Sequence, residues 1–314
     1  MIPLSHAVPT AAEARTLLAA YRRRTRVDTA AIVAALADDE PDAALIDLAS
    51  APFGSVDDVA DRLRRIEAHL RDDGDRRSVF LTVYTRMTAT VSTAIDEETF
   101  ADPEWVTAYL VAFAEYYRRA LLAFERRRFD SLPEAWLLAF GAAERGETLV
   151  AQDALLGINA HINDDLTYTL RDVRIDPDRD AKRADHDRIN EILARLTAIV
   201  QESLIEVYDA VGVRGIDALV DPLDDRAALL GLAGSRELAW RNAVLLADLP
   251  AWVGERYVGW RVRAVSTGAA AIVLTPQIDE ETRRRIRRME AGTDALSAFR
   301  DEFRRRTTAG VASR

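Results

Sequence analysis

A chain of 314 residues, 49% of them hydrophobic, carries enough apolar side chain to bury a substantial core, and its 30% of charged residues are well mixed, which argues against wholesale disorder. The formal net charge of -10 and a pI near 5.1 disfavour a non-specific nucleic-acid binder. With no cysteine, disulfides, thiolate zinc sites, iron–sulfur clusters and cysteine nucleophiles are excluded.

Apolar-periodic runs separated by scarce Gly and Pro predict helices joined by short turns. The first runs from Thr10 or Ala11 to about Arg24. Asp28 caps a second to Asp38, and Asp42 a third to Ala51. Ser55, with Asp58 three residues on, opens a helix to Arg71, and a turn at Asp72–Asp75 follows. From Arg77 to Ile95, the residues Phe80, Tyr84, Met87, Val91 and Ala94 recur at three and four positions, the spacing of an amphipathic helix. Asp102 and Pro103 start the next, an aromatic-rich helix to about Arg128. Ser131 and Pro133 open a shorter one, with Trp136 and Phe140, ending near Gly146.

A helix is expected over Thr148–Val173 and another over Arg179–Asp209, with a break at Asp176–Asp178. Val211–Leu223 reads as a connection. Helices follow near Asp225–Leu232, Ser235–Leu246, Ala251–Leu274 and Asp279–Arg305. No stretch alternates like a strand and no fixed repeat appears. The expected fold is all-α: a bundle-like single domain over 1–314, with a core at 75–210, C-terminal helices at 211–305 and a frayed tail at 306–314.

Met1–Thr10 has no basic stretch followed by an apolar run, so no signal peptide is expected. The apolar run Gly268–Leu274 is far shorter than the ~20 residues of a membrane span. The expected location is the cytoplasm, without membrane association. Lys182 is the only lysine among many arginines, and this acidic, lysine-poor composition is like that of proteins from salt-loving or very GC-rich organisms.

The chemically pointed stretch is GINAHINDDL, Gly157–Leu166. At about 100° per residue, Leu155, Leu156, Ile162, Leu166 and Leu170 form an apolar stripe that also contains Gln152, Asn159 and Asn163. Amides buried there need hydrogen-bond partners, either structural or from a ligand. His161 and Asp165 share a different face, four residues apart, so imidazole and carboxylate stack. They are read as a base with its orienting acid, as two ligands of one metal, or as a structural pair. Asp164 is expected to face solvent. On the following helix, His186 and Asn190 are also four apart, with Asp185 close to the same side.

LLGINAHINDDL (Leu155–Leu166) resembles the NAHIN-x-DL motif of an uncharacterised actinobacterial and haloarchaeal family, domain-of-unknown-function 5995. VYTRMTATV (Val83–Val91), FADPEW (Phe100–Trp105), AWLLAF (Ala135–Phe140) and DHDRIN (Asp185–Asn190) resemble its flanking elements in order, so the likeness covers roughly 75–200. It implies a helical fold and a site of Tyr84, Thr88, Trp136, Asn159, His161, Asp165, Asp185 and Asn190. His186 falls where an aromatic or variable residue is expected. No activity comes with the resemblance.

Better-known helical chemistries do not fit. NDDLTYTLR (Asn163–Arg171) approaches the magnesium motif of terpene synthases, but Arg171 stands where a carboxylate is required. The paired Glu-x-x-His of ferritin-like di-iron sites is absent, as are the nucleophile elbow, phosphate loop and dinucleotide fingerprint. His69, near a helix C-terminus, reads as a dipole partner. The expected protein binds a small molecule or is hydrolase-like. His161 serves as general base or metal ligand, Asp165 as its partner, and Asn159 and Asn190 as positioning amides. A divalent metal is compatible with His161 and Asp165, although no complete ligand motif supports it. The competing expectation is a non-catalytic interaction protein whose polar residues lock helix packing.

Overall fold

Short polar residues set where the helices begin. The computed structural model describes residues 11–24, 28–37, 40–146, 148–210, 231–275, 280–292 and 294–312. The carboxylates of Asp28, Asp42 and Asp102 and the Ser55 hydroxyl accept backbone N–H groups that a first helical turn leaves unpaired. They open α2 (Thr29–Ala35), α3 (Ala43–Ser50), α6 (Pro103–Glu125) and α4 (Val56–Asp72) respectively. In α6, Pro103 stands where an N–H has no helical partner anyway. α1 (Ala11–Arg24) and α5 (Ser78–Asp96) lie where the apolar spacing puts them.

A 3-10 turn at Phe129–Ser131 leads to α7 (Glu134–Glu144). One rod follows, built of α8 (Val150–Asn159), a π-helical segment (Ala160–Asp165) and α9 (Leu166–Asp172). The chain continues through α10 (Arg179–Ala210), α11 (Leu232–Asp248), α12 (Ala251–Leu274), α13 (Glu280–Gly292) and α14 (Ala295–Ala312). Among the described residues there is no strand, and the fold is all-α. No described helix is long and apolar enough to cross a membrane.

The α8–π–α9 rod is the axis of the molecule. From Val150 to Leu170 every side chain is buried except Leu155, Ile158 and Tyr168, which are half-buried. A helix covered on all sides belongs at the centre of a bundle. α5, α6, α7, α11 and α12 all pack on it. A Cβ at Gly157 would lie 2.4 Å from Phe80 Cγ, so this glycine lets the Phe80 ring press against the rod. Gly268 of α12 similarly admits Ala20 of α1, whose Cα would lie 2.6 Å from an added Cβ. A second apolar cluster joins Val79 and Val83 of α5, Val150 and Ala154 of α8, Val200 and Leu204 of α10, and Phe299 and Phe303 of α14.

Three expectations change. The helix over Thr148–Val173 is not α-helical throughout: its hydrogen bonds run i to i+5 over Ala160–Asp165, which adds a residue to the turn and shifts every face beyond it. The single helix expected over Asp279–Arg305 is two, because Gly292 ends α13 and the Asp294 carboxylate accepts from the Ser297 N–H at 3.0 Å to start another. Residues 306–312 are helical rather than frayed: Arg306 pairs with Glu302 and Glu202, and Thr307 is buried with its hydroxyl on the Phe303 carbonyl. The connection at 211–223 and all but the end of the helix expected at Asp225–Leu232 lie outside the described residues.

Candidate functional site

Nine of the rod's polar side chains are buried, and six of them fall into two sets by their partners. On one face, Gln152 Nε2 donates to the Val273 carbonyl at 2.5 Å and Asn159 Nδ2 to the Ser266 carbonyl at 2.8 Å. Asn163 Nδ2 donates to Asn159 Oδ1 at 2.9 Å, and Ser266 Oγ to Asp164 Oδ2 at 2.9 Å. These bonds tie the rod to α12. They also correct the placement of Asp164, which was expected in solvent: the extra residue in the π turn swings it inward against Ser266. Burial pushes its carboxyl up to about 6, against the Ser266 hydrogen bond.

On the other face, His161 Nδ1 lies 2.9 Å from Asp165 Oδ2. Trp136 Nε1, from α7, donates to both Asp165 oxygens at 3.1 and 2.9 Å. Phe113 stacks on the imidazole at 3.6 Å between centroids, and Tyr84 meets it edge-on at 4.4 Å. Phe80, Tyr117 and Trp136 complete an aromatic box. His161 Nε2 is buried and has no hydrogen-bond partner among the described residues.

Burial, helped by the positive charge of Arg236, holds His161 well below the usual histidine range. Burial and the neighbouring Asp164 push Asp165 well above the usual carboxylate range, against the Trp136 hydrogen bond. Both directions have one meaning: the surroundings penalise net charge on the pair, which titrates as a unit. With one proton fewer, Nδ1–H donates to an ionised Asp165 and Nε2 offers a lone pair. With one more the pair is neutral and Nε2–H is a donor. Of the two ring nitrogens, Nε2 is therefore the one open to proton exchange.

His161 forms part of the wall of a cavity of about 150 Å³. α5 contributes Phe80, Tyr84, Met87, Thr88 and Val91, and α6 contributes Val106, Tyr109, Leu110 and Phe113. Leu155, Ile158 and Ile162 come from the rod, Ile189, Leu193, Thr197, Val200, Gln201 and Leu204 from α10, and Leu232 and Arg236 from α11. Burial pushes the Tyr84 phenol far above its usual range, opposed by a hydrogen bond with the Thr88 hydroxyl, so Tyr84 stays protonated.

The resemblance-derived positions thus fall into groups. Tyr84, Thr88 and His161 line the cavity, with Asp165 and Trp136 behind the histidine. Asn159 faces α12. Asp185 accepts the backbone N–H groups of Ala101 and Asp102, each at 2.8 Å, and so fixes the entry to α6. Asn190 Oδ1 accepts from Arg236 Nε, while its Nδ2 donates to Asp187 at 3.3 Å. His186, held low by burial and then by Arg236 and Arg183, lies beside the Tyr109 hydroxyl and Arg236, 3.2 Å and 3.4 Å from Nδ1.

The residue that sequence reasoning missed is Arg236, only 1% exposed. Its signal was phase: it sits three, four, seven and eight residues before the buried Ala239, Trp240, Ala243 and Val244, a charge within an apolar stripe.

His161 and Asp165 do not offer two free ligand atoms to one metal; only Nε2 of His161 is open, the nitrogen that a carboxylate-oriented histidine presents to a metal. His161 Nδ1 is engaged by Asp165, both Asp165 oxygens by Trp136, and Asp164 is turned to α12. Among the described residues, the group with ligand atoms close enough to share an ion is Asp42, His69 and Asp73, away from the cavity.

No curated protein and no solved structure matches the chain. The sequence match that exists spans α4 to α12 and so takes in every described wall of the cavity: over residues 56–276 the chain matches the family of unknown function DUF5995, and it belongs to that family.

Proposed function

We propose that the protein binds a small apolar molecule in the cavity between α5, α6, α8, α10 and α11, and that His161 exchanges a proton with it at Nε2. The observation that carries this reading is the unpartnered, buried Nε2 of a cavity-lining histidine whose other nitrogen is held by Asp165. A buried polar atom left without a partner costs about 1–3 kcal/mol, so a ligand that hydrogen-bonds to it recovers that cost. The aromatic box fixes the ring plane, Trp136 and Asp165 fix its rotation, and Tyr84 and Thr88 supply hydroxyls on the same wall. This is the arrangement of general acid–base chemistry, including hydrolysis: base, orienting acid and water-poor pocket. The reading extends to a single-domain protein, since the cavity takes walls from both the 75–210 core and the helices beyond it, and it includes a cytoplasmic location as a separate part of the proposal.

The asparagine face supports a different role for its own residues. Asn159 bonds to the Ser266 carbonyl of α12 and Asn163 to Asn159, bonds that support a packing role for both.

The test uses 1-octanol as a neutral hydroxyl probe and nitrogen NMR of labelled histidine. Octanol is expected to bind and to move the His161 Nε2 resonance, and Leu193→Trp, which fills the cavity, is expected to abolish the change. An Nε2 signal that stays fixed up to the solubility limit of octanol removes the reading.

A further inference from the structure

The cavity wall carries a charge that no carboxylate among the described residues neutralises. Arg236 is fully buried, yet its partners are neutral acceptors: Asn190 Oδ1 takes Nε, while the Tyr109 hydroxyl and His186 Nδ1 lie 3.3 and 3.4 Å from Nη2. Among the described residues no carboxylate pairs with its guanidinium, whereas the buried guanidinium of Arg77 pairs with Asp75 and Glu125. A buried cation without an anion is among the costlier arrangements a protein keeps. It is kept here on the wall of an otherwise largely apolar cavity, with Asn190 orienting it.

Taking the binding reading above as given, we infer that the ligand is an apolar monocarboxylate whose head group meets Arg236 and whose hydrocarbon body fills the space between α5 and α10. A planar guanidinium offers two parallel N–H donors that match the two oxygens of a carboxylate. Met87, Val91, Leu193, Val200 and Leu204 supply the apolar wall for the remainder. A cavity of about 150 Å³ is the size that holds one benzene-like body, which sets the enclosed part of the acid at about six carbons. His161 shares the cavity, and Nε2–H of the neutral His161–Asp165 pair is a further donor for an anionic ligand. An alcohol lacks the charge that Arg236 calls for, and an amine would bring a second cation into the same space.

The experiment is a calorimetric titration of the intact protein with octanoate, 1-octanol and octylamine. Octanoate is expected to bind at least tenfold more tightly than octanol, and octylamine not at all. Arg236→Leu should erase the preference for octanoate while octanol binding survives, and Arg236→Lys should keep a reduced preference. Leu193→Trp should abolish both. If Arg236→Leu does not fold, the three ligands on the wild type and Arg236→Lys still decide. Octanol binding as tightly as octanoate overturns this inference and leaves the binding reading standing. A preference for octanoate that persists in Arg236→Leu or Leu193→Trp also overturns it. Binding of neither octanoate nor octanol to the wild type brings down both.

Discussion

Trp136 reaches Asp165 from a different helix, and its indole N–H is shared by both carboxylate oxygens. Asp165 is 1% exposed and Trp136 is fully buried, so water does not replace that donor. Trp136→Phe keeps most of the ring while removing the N–H, which leaves a buried acceptor under-satisfied. The expected loss is about 1–3 kcal/mol of folding stability, read as a lower urea midpoint at unchanged slope. An unchanged midpoint would mean that Asp165 is held by His161 alone. At this scale the sequence was legible where chemistry is local. The i,i+4 pairing of His161 with Asp165 follows from helical spacing, and it stands at 2.9 Å. The Trp136 donor lies 29 residues from Asp165 and joins them only through the fold. Its position came from the resemblance, and its partner did not. Arg236 belongs to the same class of hidden information: a single arginine in an apolar stripe does not say whether it reaches out to water or stays inside.

The π segment shows the same limit for a whole element. A wheel at about 100° per residue separates the asparagines from His161 and Asp165 as their hydrogen-bond partners do, although of these only Asn159 precedes the irregular turn. It misplaces Asp164, which lies inside that turn. Nothing in GINAHINDDL distinguishes an i→i+5 turn from an α turn, since the same residue types suit both. Cap positions, by contrast, were legible because a short polar side chain satisfies a backbone N–H only two or three residues away. Gly157 ties this rod to the cavity wall. An added methyl would meet Phe80, a wall residue, at 2.4 Å and force that ring outward. Gly157→Ala is therefore expected to lose about 1–3 kcal/mol by overpacking and to weaken octanol binding. The same change in a Phe80→Leu background should cost clearly less, because the colliding ring is gone. Equal losses in the two backgrounds, measured by urea unfolding, would place the strain elsewhere.

Across the molecule, burial of ionisable groups works in both directions, and the pH dependence of stability follows from their balance. His186 is held below the usual range, by burial first and then by Arg236 and Arg183. The unfolded chain therefore binds a proton there below about pH 6.5 that the folded chain refuses, and stability falls as pH drops through that window. Burial raises Asp153 and Asp164 to about 6, so between that value and the unfolded 3.8 the folded chain holds protons that the unfolded chain releases. Their contribution grows as pH drops and is lost as pH rises through about 6. Over roughly pH 4 to 6 the two kinds of group oppose each other, and the one histidine offsets only part of the contribution of the two carboxyls. Single substitutions should expose the opposing slopes. Asp164→Asn, which can still accept from Ser266, is expected to make stability fall more steeply on acidification. His186→Gln is expected to make it fall less steeply. Each slope should differ from the wild type by up to about 1.4 kcal/mol per pH unit, the value for one linked proton. Urea unfolding at half-unit steps from pH 4.5 to 6.5 measures both. If the three proteins have parallel profiles, these side chains have ordinary proton affinities in the fold, and the low-polarity interior invoked for His161 and Asp165 loses its support as well.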